Sequence, residues 1–536
     1  IPDLFIDDDL TFTSDSAVIT FGADSDTTLT HTDGSGLTLN STNKLMFNDA
    51  SQFIQGSSAT VLSLGATDEI DLTATAMDFN GTVTISGDTT LEDGADLITA
   101  SAGTSNVRIG VNAGNSIASG GNYNVAVGDE AGTAISTGDN NTFVGYASGD
   151  AVTTGTESVA VGSNALSAAV GSDKNTALGA YALRNDTEGE QSVAVGHQAL
   201  NAQNFATATS AYNVAVGANA GVSVTTGNLN TLIGGLAGDA LTSGNNNIAV
   251  GYGALGGDTL GDRSVAIGRG ALENQNFTTT TDSYNVAVGW AAGNDVTTGL
   301  SNTLIGGVAG DALTDADHNT AIGNESLTAD TLGSKSTAIG SLALATQNFT
   351  TATDTFNTAV GFQAGTSVTT GFNNTLIGGK AGDAITSGDN NVAVGVNALT
   401  ADTLGDRNVA IGAAALASQN FTTSTDVYNV GVGYLAGFAV TTGIFNTLVG
   451  GLTGDSITTG DFNVAVGGAA LDSETAGNNS VAIGTSALTN SNLTTDSNSY
   501  NVAVGSNAGQ NVTTGVKNVL LGGVAGDART YADMNI

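Results

Sequence analysis

A short phrase, one polar residue, three mostly apolar ones and a Gly, recurs through most of the chain. Examples are Asn213-Val-Ala-Val-Gly217, Ser264-Val-Ala-Ile-Gly268 and Asn302-Thr-Leu-Ile-Gly306. The closing Gly, here called the marker, occurs 24 times from Gly110 to Gly522. From Gly196 the spacings run 21, 17, 17 and 17 and then repeat, a superperiod of 72 residues. Units this short do not fit helical repeats or propeller blades, which need about 33 residues or more. They fit one coil of a solenoid each. The β-branched phrase is read as a strand, and the Gly, Asn, Asp and Thr after it as turns.

Side chains alternate across a strand. Val214 and Val216 therefore share one face, and Ala215 lies on the other. The residue before the marker is Val, Ile or Leu in all 24 coils, so this ladder is expected to fill the solenoid interior. The residue two before the marker is Ala in 16 coils, including Ala215, Ala287 and Ala359. It is Phe143, Leu232, Leu304, Leu376, Leu448 or Leu520 in six more. Apolar residues on both faces imply that both are covered. The second face is accordingly expected to be a subunit interface, with another copy of the chain as partner. A single Pro in 536 residues suits a backbone paired almost throughout. At ~4.8 Å per coil, 24 coils make a rod of roughly 115 Å.

Residues 1–103 lack this period. Short alternating runs at Leu10, Ala17, Leu37, Lys44, Thr60, Ile70 and Thr82 are separated by Gly, Asp, Asn and Ser. They predict an N-terminal β-rich shaft or attachment region, followed by the solenoid over 104–536. The predicted class is all-β: a parallel β-roll or β-solenoid of about 24 coils, assembled as a trimer.

The phrases Asn478-Asn-Ser-Val-Ala-Ile-Gly-Thr-Ser-Ala-Leu488 and Arg263-Ser-Val-Ala-Ile-Gly-Arg-Gly-Ala-Leu272 resemble the head repeat of YadA-like trimeric autotransporter adhesins. The resemblance spans about residues 104–528 and implies a homotrimer of left-handed parallel β-rolls. The coils here are a few residues longer than that family's. Neither a coiled-coil stalk nor a C-terminal barrel is read in the sequence. Similar rolls occur in phage fibres, and Lys44-Leu-Met-Phe-Asn-Asp49 and Ile70-Asp-Leu-Thr-Ala-Thr75 resemble repeats of tail fibres from aquatic phages. These resemblances imply a structural virion fibre for host attachment, outside the cell on a particle surface. Its partners would be itself, other tail or capsid proteins through the N-terminal region, and a host glycan or protein receptor. The passenger of a bacterial surface adhesin is the first alternative, and a glycan-cleaving tailspike the second.

Composition narrows the chemistry. Asp and Glu number 50 against 11 Lys and Arg, a formal charge of −39, so no basic patch exists for nucleic acid. Without Cys there is no disulfide framework or thiol chemistry. No run of 18 apolar residues suggests a membrane-spanning helix. His31, His197 and His318 are far apart in the sequence, and no catalytic triad, metal-spaced pair or phosphate loop is read. No enzyme activity, cofactor or metal is expected. Asp239, Asp311, Asp383, Asp455 and Asp527 recur four coils apart, ~19 Å, too far to share an ion, and read as turn caps.

The 21-residue coils carry insertions, which in solenoids become loops on one side. Each begins with Phe205, Phe277, Phe349, Phe421 or Leu493 and ends with Tyr212, Tyr284, Phe356, Tyr428 or Tyr500. These residues are read as a hydrophobic clasp that pins the loop or grips a neighbour. A row of contacts to a glycan or receptor is the alternative. Asn276, Asn348, Asn420 and Asn492 open Asn-x-Thr triplets incidental to Thr-rich loops, and Trp290 reads as a packing or surface singleton.

Overall fold

The computed structural model describes residues 101–531, 533 and 534. Within the first hundred it describes 7–9, 11, 13, 14, 17–21, 27–32, 36–39, 44–47, 49–58, 61–65 and 70. Two compact units are present, Ile1–Asp96 and Leu97–Ile536. The first contains two three-stranded antiparallel sheets. One pairs Val18–Phe21 with Thr27–Thr32, and Thr27–Thr32 with Gly36–Leu39. The other pairs Leu45–Phe47 with Asp49–Ser58, and Asp49–Ser58 with Val61–Gly65. Leu10, Phe12, residues 71–75 and the run from Thr82 lie outside the described residues.

The second unit is a parallel β-solenoid. Each phrase forms a three-residue strand, from Val107–Ile109 to Val519–Leu521, and each strand pairs in register with the next coil's. The ladder of 24 strands is open: among the described residues, the first pairs only with Val125–Val127 and the last only with Val502–Val504. Backbone hydrogen bonds between coils continue through the turns, as in Gly293 N–H to Ala309 O (3.0 Å) and Thr297 N–H to Thr314 O (2.9 Å). This is why Pro is nearly absent: most positions need their N–H. The marker must be Gly for two reasons. Its φ lies between 118° and 145° in every coil. In addition, a Cβ on Gly268 would sit 2.1 Å from the carbonyl oxygen of Gly289.

The strand faces are the reverse of the expectation. The residue two before the marker points into the solenoid, and the Val/Ile/Leu ladder points out. Phe143, Leu232, Leu376, Leu448, Ala215, Ala287 and Ala359 are wholly buried within the single chain, and Leu304 and Leu520 are only 1% and 6% exposed. These nine residues therefore form the interior and not a subunit interface. Their flanks are half-exposed, as at Ile305, Ile377, Ile411 and Ile483.

The reason is the narrow interior. Opposite the strand, the residues four and seven after each marker also point inward, as Leu272 and Val296 do. A bulky residue in all three columns would overfill the coil. The structure alternates them instead. Where the strand carries Ala, the position four after the marker is usually Leu (Leu255, Leu272, Leu327, Leu344). Where the strand carries Leu304, that position is Gly in the same coil and in the one before it. Cβ atoms at Gly293 and Gly310 would lie 2.6 and 2.7 Å from the Leu304 methyls. This exchange of volume between columns sets part of the four-coil superperiod.

A polar ladder runs beside the apolar one. The residue that opens each phrase is a buried Asn, or in some coils Ser. Asn302 Oδ1 accepts the backbone N–H of Asn319 (2.9 Å), and Asn302 Nδ2 donates to the Ala316 carbonyl (2.7 Å). The same pair of bonds recurs at Asn319 toward Ser336 N–H and Gly333 O. Buried polar atoms are thereby satisfied coil by coil.

Candidate functional site

The inserted loops are anchored from inside. At seven after the marker, from Gly179 on, two of every four coils replace the interior aliphatic with a polar pair, Asp and Gln in four superrepeats and Glu474 and Ser491 in the last. Asp258 Oδ1 accepts the N–H groups of Gly261 (3.0 Å) and Phe277 (3.3 Å), and Gln275 Nε2 donates to Asp258 Oδ2 (2.6 Å). Gln275 also donates to Ser264 Oγ (2.7 Å) and accepts from Asn285 Nδ2 (2.9 Å). Asp186–Gln203, Asp330–Gln347 and Asp402–Gln419 repeat the pairing. Burial pushes the carboxyls of Asp186, Asp258 and Asp402 above their ordinary range, against the hydrogen bonds that they accept.

Each loop returns as a short parallel pair, for example Gly261–Asp262 with Thr281–Asp282. The aromatic residues of the loops then divide into two sets. Phe205, Phe277, Phe349 and Phe421 are buried at 5–8% exposure and act as the clasp. Tyr212, Tyr284, Phe356, Tyr428 and Tyr500 stand on the surface, about half exposed. The sequence does not separate the two sets, because both flank the same loop.

The exposed set belongs to a column five residues before the marker, where every residue has positive φ. Cations from the preceding coil lie over three of its rings: Arg263 over Tyr284 (5.6 Å), Lys335 over Phe356 (5.3 Å) and Arg407 over Tyr428 (5.6 Å). Each cation also pairs with a loop carboxylate, Asp282, Asp354 or Asp426. Toward the C-terminus, the rings of Tyr428, Phe445 and Phe462 stack at 5.1 and 5.2 Å. The column ties coil to coil along the surface.

The recurrent Asp column joins coils too. Asp311 accepts Thr328 Oγ1 and Asp383 accepts Thr400 Oγ1, each on the following coil. At Asp455 the following coil offers Asp472 instead. Burial, then this second carboxylate, raises Asp455 to about 7. Among the described residues, no three His, Cys, Asp or Glu side chains converge as a metal site would. His197 meets the edge of Tyr181 (6.0 Å), while His31 lies in the strand Thr27–Thr32 of the first unit and His318 is in the surface column. Among the described residues, no helix is long and apolar enough to cross a membrane.

One concavity departs from the repeat. An open groove of about 320 Å³ lies beside Trp290 and is lined chiefly by Tyr252, Arg269, Glu273, Trp290, Asn294 and Asp311. Trp290 is 59% and Tyr252 57% exposed, so neither ring is needed as core. Asn294 Nδ2 donates to Glu273 Oε2 (3.0 Å) and to the Gly270 carbonyl (3.1 Å), which fixes the groove floor. None of the three ion pairs among the described residues includes Arg269.

No family model, curated protein or solved structure matches the chain.

Proposed function

We propose that the chain is the rod of a homotrimeric structural fibre, an extracellular virion appendage that holds an attachment surface away from the particle. One observation carries the assembly: the outward residue before the marker is Val, Ile or Leu in all 24 strands, an unbroken aliphatic column along the ladder. Isolated exposed aliphatics are ordinary on a monomer, but a contiguous apolar strip is a site of association. The strip repeats with the coil, so only a partner with the same repeat matches it along the rod, and another copy of the chain has that repeat. Fifteen of the residues three before the marker are Val or Ile and nine are Thr, a composition that suits a partly desolvated interface. The virion setting is supported by the fibre-like phrases Lys44–Asp49 and Ile70–Thr75. Presentation in three copies adds avidity to weak contacts. The rod needs no reaction to do this work, and the reading assigns it none.

Sedimentation analysis tests the assembly. The expected mass is three times 52.6 kDa. Changing Ile305 and Ile377 together to Asp should dissociate the trimer with little change in circular dichroism. A monomeric native chain, or an unaltered mass in the double variant, refutes the apolar-face reading. Antibody labelling of purified particles in electron micrographs tests the setting, and absence of label from virions refutes it.

A further inference from the structure

The 72-residue superperiod supplies an internal control for the Trp290 groove. Structural needs recur at equivalent positions, so residues that serve only the fold should recur too. Of the groove residues Asp311 recurs in every superrepeat, but Tyr252, Arg269, Glu273 and the indole of Trp290 do not. At the Trp290 position the other superrepeats carry Ala218, Phe362, Tyr434 and Ser506. Tyr252 corresponds to Ala180, Asn324, Val396 and Gly468. Arg269 corresponds to His197, Ser341, Ala413 and Thr485, and Glu273 to Asn201, Ala345, Ala417 and Thr489. Among the described residues, two exposed rings, a guanidinium, an amide and carboxylates meet around Trp290 in one open groove.

We propose that this groove is a binding subsite for a neutral saccharide. A pyranose ring presents an apolar C–H face and a rim of hydroxyls that both donate and accept. The Trp290 and Tyr252 rings offer the stacking face. Arg269 donates, and Glu273 and Asp311 accept, on a floor held by the Asn294 amide. The carboxylates outnumber the one guanidinium, so the groove disfavours an anionic sugar. The proposal is independent of the oligomeric state and goes beyond the fibre reading.

Trp290 is the only Trp in the chain, so indole emission reports on this groove alone. The full-length protein is titrated with tri- to pentasaccharides of glucose, galactose, mannose and N-acetylglucosamine, and with a uronate trisaccharide. The expected result is a saturable emission change with at least one neutral sugar and a weaker one, or none, with the uronate. Trp290→Ala should abolish the contact seen by saturation-transfer NMR and leave circular dichroism unchanged, since Ala218 already occupies the equivalent position. Trp290→Phe should keep part of the binding. No saturable response across the panel, preferential uronate binding, or the emission of a fully buried indole in the native assembly would each overturn the proposal. Release of reducing ends would also overturn it, by making the site catalytic. Mass measured on the same sample separates the two readings. A trimer without binding removes only the groove, and a monomer that binds removes only the fibre assembly.

Discussion

Leu304→Ala tests the interior packing most directly. Leu304 is 1% exposed and fills the space left by Gly293 and Gly310. Truncating a buried Leu costs about 2–5 kcal/mol, and the upper part of that range applies where neighbours cannot collapse. Here the neighbouring backbone is held by intercoil hydrogen bonds, so collapse is restricted. Stability in a solenoid is approximately a sum of coil and nearest-neighbour terms, so the loss should be local. Amide hydrogen exchange over residues 289–323 reads it directly. At 1.4 kcal/mol per factor of ten, exchange through local opening should accelerate roughly thirtyfold to a few thousandfold. Distant coils, such as those near Gly467, should change little. Gly310→Leu alone should also destabilise, because its Cβ would meet a Leu304 methyl at 2.7 Å. Backbone conformation is no obstacle, since Leu272 occupies the equivalent site at φ 49°. The double variant restores the Ala–Leu combination of neighbouring coils and should exchange more slowly than either single variant. If it exchanges as fast as the worse single variant, the volume-exchange argument fails. If Leu304→Ala alters the sedimenting mass and leaves exchange in these coils untouched, the residue is an interface residue after all.

Asp472→Thr should stabilise the solenoid at pH 8 more than at pH 5. Asp455 is raised from 3.8 to about 7 by burial and by Asp472. Its contribution is therefore complete below about pH 4 and lost as pH rises through about 7. The Thr restores the arrangement of Asp311 with Thr328, and an unchanged Tm difference between the two pH values would refute the coupling. The loop anchor offers a second test, because the last superrepeat exchanges both partners. There Glu474 accepts Gly477 N–H (2.8 Å) and Leu493 N–H (2.9 Å), and Ser491 donates to it (2.7 Å). Asp258→Glu and Gln275→Ser should each lower Tm, and the double variant should recover part of the loss, with a coupling of about 0.5–3 kcal/mol. Simple additivity would sink that account. Asn302→Ala removes a bond to the Ala316 carbonyl and one from Asn319 N–H, for a loss of about 1–3 kcal/mol per buried group left unpaired. Asn302→Ser should lose less, as Ser336 holds the same column, and equal losses in chemical denaturation would count against the ladder.

Periodicity made the solenoid legible, because a 17-residue spacing and a β-branched phrase leave few folds. It did not reveal which face turns inward. Val and Ile outrank Ala in hydrophobicity, so a strand read alone puts the larger residues inside. Two signals in the sequence opposed that choice. Nine coils place Thr on the presumed interior face, as at Thr303 and Thr320, where a narrow core would leave the hydroxyl to find a partner. The strand column also trades volume with the position four after the marker, Leu304 with Gly310 and Ala266 with Leu272. Only residues that share one cavity need such compensation.

The surface sites were hidden for a related reason. Phe277 and Tyr284 bracket the same insertion and look alike in sequence, yet one is a clasp and the other a surface ring. Their difference depends on the Asp258–Gln275 network, which spans two coils and holds the N–H of Phe277. Trp290 reads as a mere singleton in the sequence because a residue that occurs once carries no periodic signal. The repeat explains what recurs, so a functional residue on such a rod is best sought where an equivalent position departs from its own copies. By that criterion, the Val/Ile face that runs through every coil is the surface proposed for assembly. The cluster of Tyr252, Arg269, Glu273 and Trp290, which occurs once, is the one proposed for recognition.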